Sequence, residues 1–268
     1  MQGIALYRKY RPQSFKEVVG QDHIVKVLSG AIAQGNVSHA YLFAGSRGTG
    51  KTSVARIVAK ELGTVEDDLF ELDAASNRGI DDVRSIREAV ATLPFKSKYK
   101  VYIIDEAHML TKDAWNAFLK TLEEPPAHVI FILATTEQDK LPETILSRCQ
   151  IFSFKRPTRA ELKDLVISVA KKEDFTMETS AGELVALLGD GSFRDTLGTL
   201  EKVLSFTGDK KVSLADVETV TGAPKHILVS DFVKAVANGN LADSLSVLGK
   251  VRESGSDMKM FLKIVFCP

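Results

Sequence analysis

The chain has 268 residues, of which 44% are hydrophobic and 26% charged, a composition typical of soluble globular proteins with more than one domain. Its 35 basic and 35 acidic residues cancel, so contact with nucleic acid would depend on a local patch and not on net charge. Two cysteines are too few for a disulfide framework or a four-ligand zinc site within one chain, and we find no signal peptide or membrane-spanning run, so we expect a cytoplasmic protein without membrane contact.

The first motif is a glycine-rich segment between the apolar run at 40–44 and a segment with helical periodicity. This strand, loop and helix context is the one that a phosphate-binding loop requires. Its glycines would let backbone N–H groups surround phosphate oxygens, while Lys51 would reach the β- and γ-phosphates and Thr52 would bind Mg²⁺. The residues predicted to bind a nucleoside triphosphate here are Gly45, Ser46, Arg47, Gly48, Thr49, Gly50, Lys51, Thr52 and Ser53.

The second motif follows the apolar run at 101–104, which ends in Asp105 and Glu106. Ligands bind at the carboxyl ends of strands in parallel α/β sheets, so we expect both carboxylates to lie near the phosphate loop. Asp105 is predicted to hold Mg²⁺ with Thr52, and Glu106 to polarise the water that attacks the γ-phosphate. The alternative is an acidic strand end that only caps the next helix.

The spacing of apolar runs predicts the fold class of the first part of the chain. Runs at 40–44, 69–72, 101–104 and 129–134 alternate with segments of helical periodicity. This alternation predicts an α/β domain over residues 1–156, with a parallel sheet and crossover helices.

The rest of the chain is predicted to be helical. Capping pairs predict helix starts at Thr158 with Glu161, Ser180 with Glu183, and Ser192 with Asp195. These helices form a small all-helical domain over 157–222. A further helical stretch begins near Pro224 and is broken around 238–240 and 254–256, which predicts part of a third domain over 223–268.

Together these motifs resemble the AAA+ ATPases and, more narrowly, the gamma/tau subunits of bacterial DNA polymerase III clamp loaders. The resemblance covers nearly the whole chain and rests on the segments 7–12, 15, 19–21, 45–52, 73–76, 105–108, 119–126, 134–136, 147–149 and 191–195. It implies a P-loop AAA+ parallel-sheet domain, then a small all-helical lid domain, then the start of a helical collar domain.

The resemblance also implies roles for three residues outside the two motifs. Arg148 matches an arginine that reaches the γ-phosphate of the neighbouring subunit, although a surface arginine paired with a carboxylate is the ordinary alternative. Thr136 matches sensor 1, which orients the attacking water, and an ordinary strand-end threonine competes with that assignment. Arg194 matches sensor 2, a phosphate contact that couples nucleotide state to the angle between domains, against the alternative of an arginine solvated at a helix start. The catalytic residues are then Glu106, Lys51, Arg148 and Thr136.

The N-terminal segment resembles the part of the family that folds over the adenine base of ATP. The residues that match it are Tyr7, Tyr10, Arg11, Pro12 and Val19. Aromatic and apolar contact with a flat base is reasonable chemistry, but which residues touch it stays open, and Tyr10 could instead fill the gap between domains.

DNA contacts follow from the resemblance alone. Arg78, Arg84, Lys120 and Thr121 match the family's inner surface, where phosphates of primed DNA are held without sequence preference. A solvated helix face is an equally good interpretation of each.

One departure from the family concerns zinc. Its members usually carry a four-cysteine zinc module before 73–76, whereas here only residues 62–68 fill that space, so no zinc is predicted. No catalytic role is assigned to His39 or His108.

The implied function is that of an ATP-hydrolysing motor that loads a sliding clamp onto primed-template DNA in replication. Its implied partners are other clamp-loader subunits in a hetero-oligomer, a pentameric ring in the family, together with the clamp, the DNA and, for the full-length protein, the DNA polymerase III core. Two alternatives are another AAA+ DNA motor, for branch migration or helicase loading, and a non-hydrolysing clamp-loader scaffold subunit. The intact phosphate loop and acidic box argue against the scaffold.

Overall fold

A computed structural model describes residues 4–76, 86 and 88–266 of the chain. They divide into two compact units, one formed by Arg11–Pro157 and the other by the first ten residues together with Thr158–Pro268. The three-domain division at 156 and 222 stays a prediction. None of the helices in the described ranges combines the length and apolar character needed to span a bilayer.

The strands are β1 Ala40–Ala44, β2 Leu69–Asp73, β3 Lys100–Asp105, β4 Val129–Thr135, β5 Gln150–Ser153, β6 Thr176–Met177 and β7 Lys211–Val212. The helices are α1 Leu6–Lys9, α2 Asp22–Ala33, α3 Lys51–Glu61, α4 Lys112–Glu123, α5 Glu143–Leu146, α6 Arg159–Lys172, α7 Thr179–Leu188, α8 Phe193–Phe206, α9 Leu214–Thr221, α10 His226–Ala237, α11 Leu241–Glu253 and α12 Met258–Phe266. Short 3₁₀ turns lie at Phe15–Glu17, Glu66–Asp68, Ala107–Met109 and Gln138–Lys140.

The unit formed by Arg11–Pro157 is built on a five-stranded parallel sheet in the order β2-β3-β4-β1-β5. β1 and β4 are buried along their whole length, as expected for strands covered by helices on both faces. Ala44 pairs with Thr135, and Asp73 with Asp105, so the strands end along one edge. The predicted parallel α/β fold is confirmed, with β5 as an additional edge strand.

Helices cover both faces of this sheet. α2 and α3 pack on the face that includes Tyr41 and Phe43, and α4 and α5 on the face that includes Phe131. α4 buries Trp115 and Phe118, which are three residues apart on one face of the helix. These aromatic side chains belong to the hydrophobic core and are not available to stack on nucleic-acid bases. Thr111 caps α4 by accepting a hydrogen bond from the N–H of Ala114.

The short connection at 62–68 is organised by a buried carboxylate. Asp68 accepts hydrogen bonds from the backbone N–H groups of Phe95, Lys96 and Ser97, at 2.6, 3.0 and 2.8 Å. Burial alone would raise the pKa of Asp68, but these N–H groups and the Ser97 hydroxyl hold it well below its usual range. Asp68 thereby fixes the turn that leads into β3.

The second unit is mainly helical and contains a short parallel pairing of β6 with β7. Thr158 and Ser192 cap α6 and α8 as predicted, Thr158 in a full capping box with Glu161. The predicted start at Ser180 is wrong, because α7 begins at Thr179 with Glu178 as its N-cap. The N–H of Glu178 donates to the carbonyl of Val212 at the end of β7, which holds Glu178 extended.

The last helices, α10 to α12, are separated at the two predicted breaks, and α10 begins at His226, close to the predicted start near Pro224. Gly239 and Gly255 adopt positive φ angles of 67° and 73° at the two breaks. These helices share a small core whose buried members are Val247, Val251 and Phe261. The ring of Phe232 packs edge-on against that of Phe261, with 5.3 Å between the ring centroids.

Candidate functional site

The loop after β1 is held close to the end of β4 and to the residue that follows β5. The N–H of Gly45 donates to the carbonyl of Thr135 at 3.1 Å, which ties the loop to the end of β4. A Cβ at Gly45 would lie 2.7 Å from the carbonyl oxygen of Phe154, so only glycine fits there. Gly50 has a φ of +99° immediately before α3, which turns the chain into the helix. The predicted strand, glycine-rich loop and helix are therefore all present.

Lys51 points back into this loop. Its side chain is buried, with the residue 6% exposed, and Nζ donates to the carbonyls of Gly45 and Ser46 at 2.8 and 2.9 Å. The ammonium group therefore lies inside the loop, where phosphate oxygens could replace the carbonyls as its partners. Arg156 adds a second cation beside the loop, since its Nε donates to the hydroxyl of Ser46 at 3.0 Å. Sequence reasoning missed Arg156, because 110 residues separate it from Ser46.

Thr52 and Asp105 meet across the sheet edge. The Thr52 hydroxyl donates to Oδ2 of Asp105 at 2.7 Å, and Oδ1 of Asp105 accepts the N–H of Glu106 at 3.0 Å. One residue comes from the first turn of α3 and the other from the end of β3. The fold thus brings together the two oxygen donors that the sequence predicted for Mg²⁺.

Glu106 lies beside Asp105 in an uncommon backbone conformation. Its φ of 47° and ψ of 43° fall in the left-handed region, which costs a residue with a side chain some free energy. Oε2 of Glu106 accepts a hydrogen bond from the hydroxyl of Thr136 at 3.0 Å. The predicted base and the predicted sensor 1 threonine are therefore in direct contact.

His108 joins the same cluster, although the sequence assigned it no role. Its Nδ1 lies 3.0 Å from Oγ1 of Thr135 and 3.5 Å from Oε2 of Glu106. Its Nε2 lies 3.4 Å from Oε1 of Glu137. The signal that could have identified it is a histidine two positions after the acidic pair, on a turn that faces a strand ending in two threonines.

Arg148 lies on the surface, between α5 and β5. Its NH2 group forms an ion pair with Glu123 at 2.8 Å, and NH1 donates to the carbonyl of Thr144 at 2.7 Å. The side chain is one-third exposed. Burial raises the pKa of the adjacent Cys149 to about 11, so that thiol serves packing. Within this single chain, Arg148 is therefore a surface arginine paired with a carboxylate, as the alternative interpretation of the sequence expected.

Three predicted nucleotide contacts lie together in the other unit. The guanidinium carbon of Arg194, in the first turn of α8, lies 5.3 Å from the ring centroid of Tyr7. The hydroxyl of Tyr10 donates to Glu173, which also pairs with Lys9 at 2.6 Å. Burial and this hydrogen bond raise the pKa of Tyr10 to about 12.

The remaining predicted adenine contacts, Arg11, Pro12 and Val19, belong to the Arg11–Pro157 unit. Val19 is partly exposed. Close by in sequence, the buried side chain of Gln21 pairs with both the N–H and the carbonyl of Lys155, at 3.2 and 2.7 Å.

The predicted DNA contacts that the structure describes, Lys120 and Thr121, differ in their exposure to solvent. Lys120 is exposed on α4, whereas its neighbour Thr121 is buried and 8% exposed. Thr121 is therefore not accessible to a ligand in this structure. Arg78 and Arg84 lie outside the described residues.

A metal ion held mainly by the protein needs several His, Cys, Asp or Glu side chains close together. Within residues 4–76, 86 and 88–266, no group of three or more of them is placed to hold a metal ion. A magnesium ion would not need such a cluster, because it takes few ligands from the protein and several from water and phosphate.

The sheet order, the phosphate loop after β1 and the carboxylates that end β3 define the AAA+ class of P-loop fold. A solved structure described as a Thermotoga maritima RuvB Holliday junction branch migration motor shares this fold, with a TM-score of 0.68 over 85% of this chain and 79% of that chain, at 24% identity.

The sequence model of the family described as DNA polymerase III, delta subunit, matches residues 20–71 and 63–158, more than half of the chain. The chain belongs to this family. It is 44% identical to DNA polymerase III subunit tau of Bacillus subtilis strain 168, over 94% of this chain and 48% of that protein. It is 42% identical to DNA polymerase III subunit gamma/tau of Mycoplasma pneumoniae, over 97% of this chain and 41% of that protein. The resemblance to the gamma/tau subunits is confirmed, and the chain spans about half the length of these relatives.

Proposed function

We propose that this chain is the ATP-hydrolysing motor part of a DNA polymerase III clamp-loader subunit, which uses ATP to place a sliding clamp on primed DNA. The observation that carries the proposal is the joining of Thr52 to Asp105, and of Thr136 to Glu106, at the sheet edge beside the phosphate loop. Membership of the DNA polymerase III family and the names of the gamma/tau relatives support it.

ATP and Mg²⁺ fit the residues that are present. The Thr52 hydroxyl and the Asp105 carboxylate are hard oxygen donors already 2.7 Å apart, and Lys51 is enclosed by the loop. Mg²⁺ bound there would neutralise charge on the phosphates and leave them open to attack. The triphosphate would be held by the loop N–H groups, by the positive end of α3 and by Lys51.

Hydrolysis would then use Glu106 and Thr136. Glu106 accepts a proton from a water molecule as the water oxygen bonds to the γ-phosphorus, and the bond from that phosphorus to the bridging oxygen breaks to leave ADP and phosphate. Thr136 donates a hydrogen bond to the Glu106 carboxylate, and its hydroxyl would help to orient the water. Tyr7, Tyr10 and Arg194 are proposed as further nucleotide contacts because they match the family motifs.

Arg148 is proposed to act on the nucleotide of a neighbouring subunit. Its guanidinium would leave Glu123 and Thr144 and stabilise charge on the transferred phosphoryl group, an effect worth about 10³- to 10⁵-fold in turnover. Since Arg148 and Glu123 are both partly exposed, exchanging this partner costs little. The isolated chain would then be a slow ATPase, and assembly would accelerate it.

The proposed partners are other clamp-loader subunits in a pentameric hetero-oligomer, the sliding clamp, primed-template DNA and the DNA polymerase III core, all in the cytoplasm. Lys120 is the residue of the predicted DNA set that is exposed among those described. A phosphate contact of this kind would not depend on the DNA sequence, and the affinity for DNA would fall as the salt concentration rises.

Another AAA+ DNA motor is the second candidate, but the RuvB likeness at 24% identity supports the fold alone. A non-hydrolysing scaffold is disfavoured because Lys51, Asp105 and Glu106 are all in place.

The test is steady-state ATP hydrolysis by the full-length protein assembled with its sibling subunits, with and without clamp plus primed-template DNA. We expect strong stimulation that needs both clamp and DNA, and none in the Lys51→Ala complex. A rate indifferent to the clamp would contradict the clamp-loader function and leave an ATPase that acts on something else.

A further inference from the structure

His108 is surrounded by the polar groups of the proposed hydrolytic site. Both ring nitrogens face oxygens: Nδ1 faces Thr135 and Glu106, and Nε2 faces Glu137. The side chain is only 6% exposed, and turning the ring away would cost both ring nitrogens their contacts with these oxygens. Its orientation is therefore fixed from three sides.

Glu106 needs such support. A glutamate side chain has three rotatable bonds, and this one starts from a left-handed backbone position. Thr136 holds one carboxylate oxygen, Oε2, at 3.0 Å, and His108 Nδ1 approaches the same oxygen at 3.5 Å. Two groups on different segments together define where the base points, whereas either one alone would allow it to rotate.

The third contact ties the histidine to the end of β4. Thr135 is fully buried, and its hydroxyl accepts the backbone N–H of Glu137 at 3.0 Å while it meets His108 at 3.0 Å. His108 therefore links the turn that carries Glu106 to the strand end that carries Thr136. A change at His108 would move the base relative to the threonine that orients the water.

We propose that His108 is a positioning residue for ATP hydrolysis, which holds the Glu106 carboxylate in register with the end of β4. The inference rests on the proposed function, since it concerns the same hydrolytic step. It predicts a residue that acts on turnover and not on nucleotide affinity, because its contacts lie with Glu106, Thr135 and Glu137 and not with the phosphate loop. A displacement of about 1 Å in such a group can cost about 100-fold in rate.

The test uses the complete clamp loader assembled from full-length protein carrying His108→Ala, His108→Asn or His108→Gln. Asparagine places a polar atom near the position of Nδ1, and glutamine places one near Nε2. We expect His108→Ala to lower kcat by about 10- to 100-fold with an unchanged Kd for a fluorescent ATP analogue, and His108→Asn to restore more of the rate than His108→Gln. His226→Ala, which changes an exposed histidine on α10, serves as the matched control and should behave as wild type.

A double-mutant cycle separates positioning from general structural damage. In a Glu106→Gln background the base is absent, so adding His108→Ala should cause no further loss of kcat. Additive losses, a weaker ATP affinity in His108→Ala, or equal rates in His108→Asn and His108→Ala would each overturn the inference. A His108→Ala complex with wild-type kcat would overturn it while leaving the proposed function intact. A wild-type complex no faster than Lys51→Ala would overturn both.

Discussion

Beside the ends of β3 and β4, two pairs of side chains already form the contacts that hydrolysis would use, while Arg148 makes contacts that hydrolysis would have to break. Thr52 meets Asp105 at 2.7 Å, and Thr136 meets Glu106 at 3.0 Å. Arg148, in contrast, pairs with Glu123 on the surface.

The difference follows from how each region is held. The strand-end residues project from a sheet whose neighbouring strands are packed on both faces, so the fold itself sets their positions. Arg148 follows the one-turn helix α5, and its partners are a partly exposed glutamate and a carbonyl. The comparison indicates that folding prepares one half of the proposed chemistry and assembly must supply the other.

The largest effect is expected at the phosphate loop. Lys51→Ala removes a buried ammonium group from inside the loop, so ATP affinity should fall by about 100-fold or more and turnover should be lost with it. Titration with a fluorescent ATP analogue measures this directly. Lys171→Ala, an exposed lysine on α6, is the control. Near-normal affinity in Lys51→Ala would show that the loop does not hold a triphosphate.

Arg148→Ala is expected to leave ATP affinity intact and to lower turnover of the assembled complex by about 10³- to 10⁵-fold at the site it serves. Arg148→Lys should rescue little, because an ammonium lacks the planar fork of a guanidinium. Single-turnover hydrolysis in the complex and in the isolated protein measures both. If the isolated protein lost as much activity as the complex, the arginine would be acting within its own chain and the contrast between the two regions would disappear.

Glu106→Gln tests the preassembled half. The amide keeps the shape and the contact with Thr136 but cannot take a proton, so kcat should fall by about 10²- to 10⁴-fold while ATP still binds. The loss should be similar in the isolated protein and in the complex, unlike that of Arg148→Ala. Burst-phase kinetics that show normal chemistry in Glu106→Gln would remove Glu106 as the base.

Asp68→Asn changes a buried carboxylate that belongs to neither region. It should lower the free energy of unfolding by about 2 kcal/mol, because an NH₂ group replaces one of the two oxygens that accept the three backbone N–H groups, and the negative charge is lost. The pKa of Asp68 is depressed in the folded chain, so its stabilisation is present above the pKa of the unfolded chain and is lost as pH falls towards the folded value. In urea unfolding, the gap between wild type and Asp68→Asn should therefore be full at pH 7 and narrow below about pH 5. A gap independent of pH would contradict the assignment.

Sequence patterns predicted the features that depend on residues close together in the chain. β1 and β4 are buried along their whole length and almost entirely apolar because helices cover both faces of the sheet, so the sequence shows them as apolar runs, whereas β5 is largely exposed and gives no such run. The phosphate loop, Asp105 and Glu106 were predicted because each depends on neighbours in sequence. His108 and Arg156 were missed because their partners lie 27 and 110 residues away and only the fold brings them close.

Glu123→Gln should give the smallest effect and sharpens the comparison most. Exposed ion pairs are worth about 0 to 1 kcal/mol, so loss of the Arg148 partner should change the stability of the chain by less than about 0.5 kcal/mol. If Glu123 restrains Arg148 before assembly, the variant complex should reach its full ATPase rate faster after mixing, by a few-fold at most, while Thr136→Ala, which breaks a contact with Glu106 itself, should slow every turnover. Stopped-flow phosphate release after mixing subunits separates the two. A Glu123→Gln complex that is as slow as Thr136→Ala would mean that the surface pair, too, is part of the working site.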